Sequence, residues 1–93
     1  MIVKISTSAE KDVADITKWY DRIDPEIAQD FLDELLEVFN LIKEQPRALP
    51  KMSSNIRRAL LKRFPYTVLF SEVLTGQEVV IISVVHQLRK REI

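Results

Sequence analysis

Seven consecutive residues, Val79-Val80-Ile81-Ile82-Ser83-Val84-Val85, are apolar at every position but Ser83, and six of them are β-branched. Such a run reads as a strand, and it lacks the apolar and polar alternation of a strand with one wet face, so both of its faces call for cover. A chain of 93 residues has little material to supply that cover. It is long enough for one domain, read as residues 1–93, and buries a smaller fraction of its surface than a larger domain does. With no cysteine there is no disulfide framework, no thiolate nucleophile and no sulfur-ligated metal site. Packing or a partner must therefore complete a thin core.

The remaining elements follow from periodicity. Ile2 to Ser6 alternates and reads as a short strand. Thr7 followed three residues later by Glu10 has capping-box spacing, which predicts a helix from about Ser8. Ala9, Val13, Ile16, Tyr20 and Ile23 form its apolar stripe, with Glu10, Asp12, Asp15 and Lys18 largely outside it. Trp19 falls at the margin of the stripe, either as a core-edge indole or as an exposed anchor for another chain. Asp24-Pro25 supplies an N-cap carboxylate and a first-turn proline for a second helix, which Pro46 stops after about Gln45. Its apolar residues, from Ile27 to Ile42, spread over nearly half the cylinder, more than one neighbour covers. A helical hairpin in which the second helix touches both the first helix and a sheet satisfies that width. Pro46 to Asn55 reads as a loop.

Three strands are then expected at about Ile56 to Phe64, Tyr66 to Val73 and Gln77 to Val85, the last two joined by a turn at Leu74-Thr75-Gly76. Short connections make them antiparallel neighbours. The fold class is α+β, in the order β-α-α-β-β-β, with two helices on one face of a small, mostly antiparallel sheet. Either the sheet curls to hide its other face or a partner segment lies on it.

Net charge is zero, but residues 1–45 hold 5 basic and 11 acidic side chains and residues 46–93 hold 9 and 3. The halves thus carry −6 and +6. This is either a dipolar fold with a solvated acidic helical face or a basic half that meets an anionic partner. A single histidine without cysteine builds no ordinary zinc site, and the one glycine, Gly76, excludes a glycine-rich phosphate loop. No metal or other cofactor is expected. The N-terminus turns polar after five residues and no later stretch approaches the ~18–20 apolar residues of a membrane span, so a cytoplasmic chain without membrane contact is expected. The candidates for chemistry are the basic residues Arg57, Arg58, Lys62, Arg63, Arg89, Lys90 and Arg91, with His86 at a strand end. Arginines grip phosphate side-on and an imidazole moves protons near neutrality, which suits RNA cleavage or docking on an acidic partner. Alternatively His86 is a structural strand-end residue. Strand alternation places Arg58 and Lys62 on one face and Arg57 and Arg63 on the other.

The ordered set Arg57-Arg58, Phe64-Pro65-Tyr66, the strand Val79 to Val85 and His86-Gln87-Leu88-Arg89 resembles the C-terminal half of the RelE/ParE superfamily of bacterial type II toxins, also called plasmid stabilisation proteins. Ser6-x-x-Ala9, Asp12, Trp19-Tyr20, Ala28, Phe31-Leu32 and the Pro46 stop fit the first half of that pattern. The resemblance implies the β-α-α-β-β-β fold and a growth-inhibiting toxin silenced by an antitoxin whose C-terminal segment wraps it. RelE-like members are ribosome-dependent mRNA endonucleases with clustered Arg and Lys and a C-terminal Tyr or His; ParE-like members poison DNA gyrase. Thr67 stands close to where nuclease members carry an arginine, no tyrosine follows His86, and zero net charge is unusual for a protein that sits among ribosomal RNA. Phe-Pro-Tyr and His-x-x-Arg look more like ParE.

The expectation is therefore a gyrase inhibitor that is not an enzyme, with a ribosome-dependent ribonuclease as the alternative. In the nuclease case His86, Arg58 and Lys62 are the catalytic candidates. Target contacts are expected from Arg57, Arg58, Arg63, Arg89, Lys90 and Arg91, and antitoxin contacts from Trp19, Phe70, Val80 and Ile82. Arg58 and Arg89 are expected to serve toxicity while leaving antitoxin binding mostly intact.

Overall fold

A computed structural model describes residues 1–73 and 76–87. The chain forms β1 (Ile2–Ile5), α1 (Thr7–Ile23), α2 (Pro25–Glu44), a 3-10 turn (Pro46–Ala48), β2 (Arg57–Leu60), β3 (Tyr66–Glu72) and β4 (Glu78–His86). The four strands lie in the order β1-β4-β3-β2, so the apolar run occupies a central strand. β1 pairs with β4 in parallel, Val3 beside Val79, while β2, β3 and β4 form antiparallel pairs. This is the expected α+β order, with a mixed sheet.

Both helices pack on one face of the sheet. Phe31 and Ile42 of α2 and Val68, Phe70, Val79 and Ile81 of the sheet are fully buried there, with Ala9 of α1. Each buried aliphatic or aromatic side chain contributes roughly 1.5–3 kcal/mol. Asp24 caps α2 as its sequence predicts, accepting from the Glu26 amide at 2.9 Å. The α1 cap differs by one residue. Ser6, not Thr7, is the N-cap, its hydroxyl accepting from the Ala9 amide at 3.0 Å. A capping box on Thr7 and Glu10 does not form, because Ser6, the residue after β1, is held against the sheet by its bonds to Ile81 O and Ile82 O.

β2 is shorter than its sequence suggests, ending at Leu60. The Leu61 amide still bonds Tyr66 O at 3.0 Å, and the chain then turns over Lys62 to Pro65, where proline cannot donate to a ladder. Lys62 and Arg63 consequently leave the strand, and the face assignment made for them by alternation does not hold. At the β3–β4 connection Gly76 has φ 72°, the left-handed conformation that glycine takes without strain. Leu74 and Thr75 of the expected turn, and the tail residues Arg89, Lys90 and Arg91, lie outside the described residues. Among the described residues no helix is long and apolar enough to cross a membrane.

Candidate functional site

One irregularity in β4 decides which residues meet. Register runs Phe70 opposite Ile81 and Leu69 opposite Ser83, so Ile82 is an extra residue, a β-bulge. Before it, Val79 and Ile81 face the helices; after it, Val84 and His86 do. The bulge is held from α1. Ser6 Oγ donates to Ile82 O at 2.8 Å, the Ser6 amide bonds Ile81 O at 3.0 Å, and Asp12 Oδ2 accepts from the Val84 amide at 2.9 Å. Asp12 therefore pairs a strand amide that β1, ending at Ile5, no longer reaches.

Turned to the helix side, His86 lies across from Tyr66, with ring centroids 5.4 Å apart and planes at 80°. Tyr66 in turn meets Tyr20 and Phe31, and Phe64 closes the cluster against Tyr20 at 5.2 Å. Burial raises the Tyr20 pKa above its ordinary 10.0, and the neighbouring Tyr66 adds to the rise. Beside this cluster opens a cleft of about 530 Å³, lined by Asp12, Asp15, Ile16, Trp19, Tyr66 and His86 among others. Trp19 is 60% exposed at its rim, which settles the two sequence readings in favour of the exposed indole over the core-edge one. Ile23, one turn on, is also 60% exposed.

The basic residues divide between two places. On the helix side, Arg57 donates to Leu49 O at 2.7 Å and to Arg47 O at 3.5 Å, tying down the loop after α2. The turn after β2 is fastened by Glu34, a residue only 6% exposed whose carboxylate accepts from the Lys62 amide at 2.8 Å and the Arg63 amide at 3.1 Å. Arg63 Nη2 reaches Asp30 O at 3.4 Å. The side chains of Lys62 and Arg63 are exposed on this turn. Glu34 is not among the sequence candidates, although its position signals it: it sits between Phe31, Leu35 and Val38 on the buried stripe of α2, where a carboxylate must find donors.

Arg58 stands on the opposite, helix-free face. It pairs with Leu69, and Leu60 on the same face pairs with Thr67. Thr67 is fully buried, and among the described residues neither its Oγ1 nor the buried Nε of Arg58 has a hydrogen-bond partner. Val80, Ile82 and Val85 are half-buried, whereas Leu60 is 49% exposed.

The sequence candidates thus separate. Arg58 and His86 point to opposite faces of the sheet, two strands apart, and Lys62 lies on the turn beyond β2, so the three do not converge as one catalytic set. Arg57 is engaged with loop carbonyls. Phe70, expected to meet the antitoxin, is fully buried under the helices and offers no surface; its place opposite Ile81 puts it on the core face. Val80 and Ile82 remain available on the strand next to Arg58's face. Among the described residues no group of three or more His, Cys, Asp or Glu side chains is placed to hold a metal ion.

Comparison with known proteins gives one family. The model of the family described as "ParE toxin of type II toxin-antitoxin system, parDE" matches residues 3–91. Among solved structures, a chain of the chromosomal ParDE system from P. aeruginosa superposes with a TM-score of 0.79 at 21% identity, covering 92% of this chain and 95% of that one. A chain of the RelBE2 toxin–antitoxin complex from Mycobacterium tuberculosis superposes with a TM-score of 0.58 at 19% identity, covering 91% and 95%. At these identities the superpositions speak to the fold alone. No curated protein matches.

Proposed function

The chain belongs to the ParE toxin family of type II toxin–antitoxin systems, and on that premise we propose that it arrests growth by inhibiting DNA gyrase and is silenced by a cognate antitoxin. The observation that carries the choice of target is the separation of His86 from Arg58. Ribonucleolytic transesterification needs a proton acceptor and a cationic phosphate clamp around one scissile bond, within hydrogen-bond reach of the same substrate. Here the imidazole packs edge-on against Tyr66 on the helix side, while Arg58 lies on the other face. That arrangement supports a binding protein over a ribonuclease. Val80 and Ile82 are proposed to meet the antitoxin on the helix-free side of the sheet, with Trp19 as an anchor at the cleft.

The gyrase contact is proposed to run through the exposed Lys62–Arg63 turn that Glu34 fixes, together with Arg89, Lys90 and Arg91 of the tail. A basic, rigidly seated turn suits an acidic protein surface or a DNA backbone. The purified chain, added to gyrase and relaxed plasmid, is expected to block supercoiling or trap cleaved plasmid, and to leave mRNA on translating ribosomes uncut. Intact supercoiling alongside codon-positioned mRNA cuts is the result that overturns this reading in favour of the ribosome-dependent endonuclease.

A further inference from the structure

Among the described residues, two polar atoms on the helix-free face of the sheet are left unsatisfied. Arg58 Nε and Thr67 Oγ1 are buried, and neither has a hydrogen-bond partner among those residues. They lie on the same face: Arg58 is opposite Leu69, and Thr67 is the diagonal neighbour two residues along β3, roughly 7–8 Å away between backbones. A buried N–H on a cation and a buried hydroxyl without partners are both unfavourable in the free chain, and each is relieved by an acceptor brought from outside. Leu60, Leu69 and Val85 flank the pair, with Ser83 opposite Leu69 and Ser71 two residues further along β3.

From this we infer that Arg58 and Thr67 form a socket for a carboxylate of the antitoxin, and that Arg58 serves neutralisation rather than target contact. The inference rests on the toxin–antitoxin reading and adds the chemistry of its interface. Charge decides the occupant. A guanidinium presents Nε–H and one Nη–H as parallel donors, which a carboxylate takes side-on, and the buried hydroxyl of Thr67, its diagonal neighbour, offers a further donor beneath it. The apolar flanks call for a segment with apolar side chains on either side of that acid. A second copy of this chain fits less well, because the half that bears this face carries the net charge of +6 and meets its like. Arg58 as a whole is only half-buried, so its guanidinium reaches a partner by turning about its own side-chain torsions, without opening the core.

The test is a titration of the toxin with the antitoxin encoded beside its gene, by calorimetry, alongside urea unfolding of the toxin alone. Arg58→Leu and Thr67→Val each remove an unsatisfied polar atom and keep the bulk. Both are expected to weaken antitoxin binding, Arg58→Leu by on the order of ten- to a hundred-fold, while the unfolding midpoint stays level or rises. A merely structural role lowers the midpoint instead. Unchanged affinity in both variants overturns the socket. Failure of the unsubstituted toxin to bind the antitoxin overturns the toxin–antitoxin reading itself, a different result. Concentration-dependent dimerisation of the free toxin that Arg58→Leu abolishes assigns the face to a second copy and also overturns the socket. Where Arg58→Leu fails to fold, the isosteric Thr67→Val carries the test.

Discussion

His86 and Tyr66 are cross-strand partners whose rings meet edge-on at 5.4 Å, on the same side of the sheet as the helices. The histidine is therefore part of the aromatic packing that joins β3 and β4 to α1 and α2. An aromatic pair of this geometry contributes about 0.5–1.5 kcal/mol beyond its buried area. His86→Ala is expected to lower stability by about 1–2 kcal/mol and to leave growth arrest intact once expression is matched. Urea unfolding and induced growth curves check the two halves; arrest lost with stability unchanged assigns His86 to catalysis.

Glu34 is the least obvious stabilising residue. Removing its carboxylate leaves the amides of Lys62 and Arg63 without their acceptor at a site only 6% exposed. Glu34→Ala is expected to cost about 2–4 kcal/mol. Glu34→Gln keeps one acceptor oxygen and is expected to cost less. Equilibrium unfolding gives both values, and equal stability of Glu34→Ala and the unsubstituted chain contradicts the assignment.

Much of the architecture is legible in the sequence because its signals are local. The Asp24-Pro25 start, the Pro46 stop and the apolar width of α2 each rest on a few neighbouring residues. The site is less legible because it hangs on one inserted residue. Plain alternation along β4 puts His86 on the face of Val80, beside Arg58. The bulge at Ile82 reverses that, and its cause lies more than seventy residues away in sequence, in Ser6 and Asp12. Likewise the end of β2 at Leu60 goes with Glu34 capturing the Lys62 and Arg63 amides, a contact no strand propensity encodes.

Ser6 holds the bulge and caps α1 with one hydroxyl, and Asp12 holds the strand beyond it. Ser6→Ala is expected to cost about 1–2 kcal/mol, and Asp12→Ala, which orphans the Val84 amide, about 1–3 kcal/mol. Because both fix the same short segment, the double variant is expected to cost less than the two single costs added together. Strict additivity in a double-mutant cycle contradicts their joint role.

Tyr20 gives the fold a dependence on alkaline pH. Its pKa is raised by burial and by Tyr66, so the folded chain holds the phenolic proton more tightly than the unfolded chain does. The corresponding stability is fully present below the unfolded value near 10 and is lost as pH rises through the folded value. The urea midpoint is expected to fall between about pH 9 and about pH 11, and to fall less in Tyr20→Phe. An identical decline in the two proteins places the titration elsewhere.

Phe70 and Trp19 separate core from surface. Phe70→Ala, at a fully buried site, is expected to cost about 3–5 kcal/mol and to affect antitoxin binding only through unfolding. Trp19→Ala, at 60% exposure, is expected to change stability by less than about 1 kcal/mol while weakening antitoxin binding. The pair is checked by unfolding and calorimetry on the same preparations; a Trp19→Ala protein that binds as before removes the indole from the interface.

The most direct test of the central claim is to induce this chain without antitoxin and follow labelled thymidine and labelled methionine in the first minutes of arrest. Inhibition of gyrase predicts that thymidine incorporation fails first while methionine incorporation continues. Methionine incorporation failing first contradicts the account and identifies the ribosome as the target.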